Sequence, residues 1–313
     1  MKSETRTPQI SVILGTDTFE TIRAVVKSLR EQRCRDRIEL VIVAPSRSVL
    51  APDDAALAGF CGVQIIECGE ISSLAPVRAA GIRAAAAPVV FLGETHSFPQ
   101  PGWAEAIVAA HQGPWAVVMP GMGNANPATA ISWAELLIDY GPWLQELPAG
   151  VTDRFPTWPT TYKRDPLLAL GDSLPDLLTQ GDGLLRALSE AGHRFYFEPA
   201  ARVAHLNVSS HGPWIRERYY SGVSIASSRM SDWPWIKRFI YICGAPLIPA
   251  VVLLRARKGL QVCRGSVRML LRVLPAIAAT SFVSAIGEAA GYAGFSAEAA
   301  CHAMTEFEIH REA

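Results

Sequence analysis

Short apolar runs alternate with stretches of helical spacing along residues 10–120 of the chain. Each apolar run ends in a polar or Gly-rich turn, and runs this short suit strands that are covered on both faces of a sheet. The pattern predicts strands at 10–14, 38–44, 63–67, 89–92 and 115–120, and helices at 19–32, 78–87 and 104–112. This alternation of strands and helices predicts an α/β nucleotide-binding half with a parallel sheet.

The turn after the fourth predicted strand carries candidate chemistry. It reads Gly93-Glu94-Thr95-His96 and directly follows the apolar run at 89–92. In open α/β sheets, ligands bind where the carboxyl ends of the strands meet their loops. Glu94 and His96 are two residues apart, so in an extended turn their side chains lie on the same side and can share one cation. A solvated surface turn is the alternative explanation.

The exit loop of the first predicted strand holds Thr16 and Asp17. Asp17 either contacts a nucleotide or caps the helix that starts at Phe19. The chain has neither a Gly-x-Gly-x-x-Gly motif nor a Walker lysine motif, which argues against a dinucleotide site or an ATP-binding P-loop.

Several of these stretches together resemble the family 2 glycosyltransferases of the GT-A fold. That family has an Arg-Asn-x-Gly helix, a strand that ends in Asp-x-Asp, and a Pro-Gly-Trp turn. Here Arg78 and Gly81 match the helix and residues 101–103 match the turn, while Gly93-Glu94-Thr95 stands at the Asp-x-Asp position. Residues 199–205 match the family's Pro-x-Ala-x-Val-x-His ending. The resemblance implies a Rossmann-like GT-A (nucleotide-diphospho-sugar transferase) domain over residues 1–208.

The resemblance also implies a function. The expected enzyme is an inverting glycosyltransferase of the cell envelope, a hexosyl- or related transferase, which moves a sugar from a nucleoside diphosphate donor to an acceptor hydroxyl. The acceptor stays open, with a lipid-linked or envelope glycan as one class, and a divalent cation, Mn²⁺ or Mg²⁺, is the expected cofactor. The missing aspartates leave a second hypothesis open, a catalytically silent GT-A-like module that binds a sugar nucleotide or a partner protein.

Each implied role falls on particular residues. Donor binding is assigned to Thr16, Asp17, Arg78, Gly81 and Glu94, and cation binding to Glu94, His96 and His205. Removal of the proton from the acceptor hydroxyl is assigned to Asp182, and the acceptor cleft to Trp158, Tyr162 and Arg164. The cleft residues lie in or at the end of a segment, 141–164, that is dense in Pro, Gly, Trp and Thr and is predicted to be a functional loop without regular elements. Asp182 lies within a predicted helix at 174–191, which Gly192 closes.

The last third of the chain differs in charge and hydropathy. The whole chain carries 29 basic and 29 acidic residues, whereas positions 209–313 carry 12 basic and 7 acidic ones. Apolar segments at 239–254 and 273–286 lie among them, and both are shorter than the roughly 20 residues that a membrane span needs. Residues 209–313 are therefore predicted to be a helical region that lies in the interface of the cytoplasmic face of the cell membrane, peripheral or monotopic. A helical appendage packed on the catalytic domain is the alternative.

Three further patterns limit the setting and the partners. The basic residues alternate with apolar runs rather than lining one polar face, so nucleic acid is not an expected partner. Six scattered cysteines without metal-ligand spacing indicate a reduced, cytosolic setting. No long apolar segment precedes the first predicted strand, so a cleaved secretory signal is not expected.

Overall fold

The computed structural model describes residues 7–179, 182–230, 233–254 and 267–311, with the backbone alone for 267–270. The chain forms two compact units. The first contains Met1–Gly123 and Pro148–Ala204, and the second contains Asn124–Leu147 and His205–Ala313. Two of the boundaries fall one residue before the end of a sheet strand, so the last residues of these strands, Asn124 and His205, belong to the second unit.

Within the described ranges, nine strands form one mixed sheet. Four of them are parallel neighbours in the order β3-β2-β1-β4, and the order continues through β8, β6, β9 and β5, with β7 paired to β9. The strands are β1 (Ile10–Gly15), β2 (Ile38–Ala44), β3 (Gly62–Glu67), β4 (Val89–Leu92), β5 (Ser97–Pro99), β6 (Trp115–Asn124), β7 (Gly150–Thr152), β8 (Thr160–Lys163) and β9 (Arg194–His205). β1, β2 and β4 are buried almost throughout, as their unbroken apolar runs predict.

The expectation that residues 141–164 contain no regular element is wrong. β8 lies inside the sheet between β4 and β6, and it is antiparallel to both. Its Thr-Thr-Tyr sequence suits a strand, but four residues after a Pro-rich segment give a weak local signal. Pairing with the two neighbouring strands stabilises the extended conformation of β8. Because β8 is antiparallel to both, the sheet is mixed rather than parallel.

Helices of the first unit cover the sheet and connect its strands. They are α1 (Phe19–Arg30), α2 (Arg47–Leu50), α3 (Asp54–Leu57), α4 (Leu74–Ala84), α5 (Trp103–Ala110), α7 (Arg164–Leu168), α8 (Leu174–Leu177) and α9 (Gly183–Glu190). The single helix predicted at 174–191 is wrong, because α8 ends early. The hydroxyl of Thr179 donates to Asp176 O at 2.6 Å, a local bond that competes with continuation of the helix.

The second unit is built from helices. They are α6 (Ala130–Tyr140), α10 (His211–Arg229), α11 (Trp235–Gly244), α12 (Val267–Tyr292) and α13 (Ala297–Ile309). α10 and α12 approach at backbone distance through glycines: a Cβ added to Gly222 would lie 2.3 Å from Ser284 O. The buried guanidinium of Arg218 joins α10 to α6, since its Nε donates to Glu135 Oε1 at 2.9 Å and its Nη1 donates to Asp139 Oδ1 at 2.9 Å.

Candidate functional site

The turn between β4 and β5 is buried, so the alternative of a solvated surface turn is wrong. Glu94 is 4% exposed and His96 is 1% exposed. The Ser97 hydroxyl donates to Glu94 Oε2, and His96 Nε2 lies 3.8 Å from the same carboxylate oxygen. Thr95 Oγ1 lies 3.2 Å from His96 Nδ1. A carboxylate and an imidazole are thus held together at the carboxyl end of a central strand, where the sequence places them.

His205 is the last residue of β9 and is also buried. Burial lowers the pKa of its imidazole to about 3, and the positive charge of Arg311 lowers this pKa further, so the ring is neutral at pH 7. Its Nδ1 lies 2.8 Å from Asn207 Oδ1. The amide of Asn207 has a fixed orientation, because its Nδ2 donates to Asn124 Oδ1 and to His205 O, both at 3.1 Å. His205 Nδ1–H is therefore the donor in this contact, and Nε2 carries the ring's lone pair.

Three predicted ligands come together in the structure. One ligand atom from each of Glu94, His96 and His205 lies within 4.8 Å of the other two, and all three residues are buried. One carboxylate oxygen and two imidazole nitrogens are donors that suit Mn²⁺ better than Mg²⁺, which prefers oxygen. The donor set and the neutral state of His205 fit a divalent cation.

Asn207 is a residue that the sequence-based interpretation missed. Its backbone N–H donates to Asn126 Oδ1 at 2.9 Å, and the Ser132 hydroxyl donates to Asn124 Oδ1 at 2.9 Å. These side chains form a polar network behind His205 in the second unit. The available signal was the position of Asn207 two residues after His205, since a metal-ligating histidine usually donates its other ring N–H to a fixed acceptor.

Arg78 and Trp158 were assigned to different parts of the site, the donor and the acceptor cleft, but they are in contact. The Arg78 guanidinium lies over the Trp158 ring, with Cζ 3.7 Å from the ring centroid. Arg78 is buried in α4, and Trp158 is half-buried. A guanidinium placed over an indole ring gains cation–π stabilisation, which favours this position of the side chain. The ring of Trp158 therefore orients the charge of Arg78.

Two other residues assigned to the acceptor cleft have structural contacts. Tyr162 is fully buried in β8, its hydroxyl donates to Thr157 O at 2.7 Å, and burial raises the pKa of its phenol well above 10.0. Arg164 Nε and Nη2 donate to Ile82 O at 2.9 Å and to Arg83 O at 2.7 Å. Arg164 thus satisfies carbonyls at the C-terminal end of α4.

The remaining predicted residues lie in the loop after β1, inside α4 and at the start of α9. Thr16 is buried and its N–H donates to Val43 O at 3.0 Å, which ties the exit loop of β1 to β2. The N-cap residue of α1 is Thr18, whose side chain makes no capping hydrogen bond. A Cβ on Gly81 would lie 2.4 Å from Ile13 Cγ2, so this glycine lets α4 approach the sheet. Asp182 is the exposed N-cap residue of α9.

Comparisons with known proteins identify the fold. No protein-family model matches the sequence, and no curated protein matches it. The crystal structure of GalNAc-T7 with UDP, GalNAc and Mn²⁺ matches with a TM-score of 0.52 and 14% identity, over 72% of this chain and 52% of that one. The chain has the GT-A fold. It spans about half the length of the GalNAc-T7 chain.

Two structures of S. aureus TarS 1-349 also match, each with a TM-score of 0.46. The complex with UDP-GlcNAc is 13% identical over 72% of this chain and 68% of that one. The other structure is 12% identical over 91% and 92%. The predicted α/β class and GT-A fold are confirmed, and in this GT-A sheet Glu94 and His96 follow the carboxyl end of β4.

Proposed function

We propose that this protein is a glycosyltransferase that moves a sugar from a nucleoside diphosphate donor to an acceptor hydroxyl with inversion at the sugar carbon. The observation that carries the proposal is the buried Glu94, His96 and His205 group at the ends of sheet strands in a GT-A fold. The crystallisation of GalNAc-T7 with UDP and Mn²⁺, on the same fold, supports a nucleoside diphosphate donor and a divalent cation. A hexosyl group on the donor and membership of family 2 are parts of the same proposal.

The chain's own residues have distinct proposed roles. Glu94, His96 and His205 hold the divalent cation, which when bound supplies positive charge to offset the charge that develops on the leaving diphosphate. Arg78, oriented by Trp158, adds a second positive charge for the diphosphate. Asp182 is the proposed base that takes the proton of the acceptor hydroxyl, a role for which it must come within hydrogen-bond reach of that oxygen.

Assays of sugar transfer and of donor hydrolysis test the proposal. They use a panel of nucleoside diphosphate sugars, in the presence of Mn²⁺ or of excess chelator. Release of nucleoside diphosphate from one donor, dependent on the cation, is the expected result. Donor binding without turnover on any acceptor would instead favour the catalytically silent module.

Arg78→Ala is expected to weaken binding of the preferred nucleoside diphosphate by at least about tenfold, because a charge-assisted contact to phosphate is lost. Isothermal calorimetry with UDP, GDP, ADP, CDP and dTDP measures the loss. Arg83→Ala is the matched control, since Arg83 is an exposed arginine on the same helix. Equal affinities for wild type and Arg78→Ala would remove Arg78 from the donor site.

Asn207→Ala is expected to lower the affinity for Mn²⁺, measured with the nucleoside diphosphate present, by about 10–100-fold. The variant loses the acceptor that fixes the Nδ1–H tautomer of His205. Electron paramagnetic resonance of free and bound Mn²⁺ gives the affinity without any activity assay. Gln112→Ala removes an exposed amide and serves as the control; unchanged Mn²⁺ affinity in Asn207→Ala would exclude the positioning role.

We also propose that the enzyme works at the cytoplasmic face of the membrane, as a peripheral or monotopic protein, on a lipid-linked or envelope acceptor. The net positive charge of residues 209–313 supports this location. Within the described residues, Trp235–Leu254 and Leu271–Tyr292 are long and apolar enough for a membrane span, a property that buried helices of soluble proteins share.

A further inference from the structure

Helix α11 exposes an unusually apolar face. Four of its large apolar side chains are between 55% and 73% exposed, and none of its residues is buried. At 100° per residue, these side chains fall on one side of the helix: Trp235, Ile236, Phe239 and Ile240. A soluble helix normally turns such a face toward its own core, so this face is arranged for a surface other than water.

The opposite side of α11 faces its own unit. The ring of Tyr241 lies 5.4 Å from that of Tyr292 in α12 and 4.5 Å from that of Trp233. Lys237 Nζ lies 3.7 Å above the Trp233 ring, and Arg238 Nε donates to Trp233 O at 3.1 Å. Basic and aromatic side chains therefore flank the apolar face. Such a composition is typical of helices at the headgroup level of a membrane.

The two long apolar helices differ in burial. Only 6% of an apolar 18-residue stretch in Trp235–Leu254 is buried, against 39% of such a stretch in Leu271–Tyr292, whose helix packs against α10 within the second unit. α11 contains 10 residues, about 15 Å of helix, and a 3₁₀ turn at Ala245–Leu247 that includes Pro246 separates it from a further helical stretch at 248–254. A bilayer core is about 30 Å thick, so α11 alone covers half of it, and a span would have to include the turn and the stretch after it.

We propose that the apolar face of α11 inserts into the headgroup region of an anionic bilayer, with Lys237 and Arg238 at the level of the lipid phosphates and without crossing the membrane. Two copies of this face pressed together would bring four of these positive charges close to one another, whereas anionic lipid neutralises them. This inference rests on the membrane location proposed above and names the surface responsible for it, and it can be tested without any donor, independently of sugar transfer.

Co-sedimentation of the full chain with preformed vesicles tests the surface. We expect binding to phosphatidylcholine vesicles that contain phosphatidylglycerol, and at least about tenfold weaker partitioning for Ile236→Ser with Phe239→Ser. Ile215→Ser is the control, because Ile215 is 49% exposed on α10. Lys237→Gln is expected to weaken binding to anionic vesicles at low salt only. Equal sedimentation of the double variant and wild type, or no sedimentation of either, would overturn the proposal.

The maleimide reactivity of the native cysteines tests how α11 lies on the membrane. Cys243 is exposed and lies on the apolar side of α11, while Cys68 and Cys301 are exposed elsewhere. With anionic vesicles, maleimide labelling of Cys243 is expected to slow at least about tenfold while Cys68 and Cys301 stay reactive. Protection of Cys243 without lipid, with a rising oligomeric state, would favour a second copy instead. Labelling of Cys263 by a membrane-impermeant reagent added outside intact cells would show that the chain crosses the membrane, and would contradict the proposal.

Discussion

Glu94→Gln is expected to lower the rate of sugar transfer by about 10²–10³-fold while leaving the fold intact. Glutamine keeps an oxygen that accepts the hydrogen bond from Ser97, so the buried turn retains its internal contact. It loses the only negative charge of the Glu94, His96 and His205 group. The rate is measured under saturating donor and Mn²⁺, and thermal unfolding is followed on the same samples.

Glu190→Gln provides the control for this change, because Glu190 is an exposed carboxylate on α9. Its rate should equal that of the wild type. A wild-type rate for Glu94→Gln, together with full activity of the wild type in excess chelator, would mean that the cation site is not used. Arg78 would then offset the charge of the leaving diphosphate.

Gly287→Ala is expected to destabilise the second unit by about 1–3 kcal/mol, although alanine is the better helix former. The added Cβ would lie 2.1 Å from Tyr219 O, a backbone atom of the packed helix α10. Alanine favours an isolated helix by only about 1 kcal/mol over glycine, so the steric conflict decides the sign. Urea unfolding followed by circular dichroism measures the change in the free energy of unfolding.

Gly212→Ala separates the steric conflict from helix propensity. Gly212 lies in α10, and a Cβ there has no neighbour within 4 Å among the residues that the structure describes. This variant should be as stable as the wild type or slightly more stable. Equal stability of Gly287→Ala and Gly212→Ala would contradict the backbone-distance packing of α10 and α12.

The parallel half of the sheet was predictable because its signal is local. β2 and β4 have the predicted bounds, and β1 differs by one residue at its end. Each is an unbroken apolar run that ends at a turn, and the register within a parallel sheet brings their carboxyl ends to one edge. The placement of Glu94 and His96 follows from β4 alone, which explains why their proximity could be predicted.

The features that were missed depend on contacts distant in sequence. β8 is a strand because β4 and β6 leave a gap for it, and residues 124–147 pack with the C-terminal helices through ion pairs such as Arg218 with Glu135. The stacking of Arg78 on Trp158 joins residues 80 positions apart. Neither periodicity nor turn chemistry carries information about such pairs.

We propose that this GT-A domain binds a nucleoside diphosphate and a divalent cation together at Glu94, His96 and His205. Titration of Mn²⁺, followed by electron paramagnetic resonance with and without the best-binding nucleoside diphosphate, tests it most directly. A single carboxylate binds the ion weakly, so we predict Mn²⁺ binding that requires the nucleotide and is lost in Glu94→Gln and in His205→Gln. Failure of every nucleoside diphosphate to bind, or equal Mn²⁺ binding by wild type and Glu94→Gln, would contradict the account.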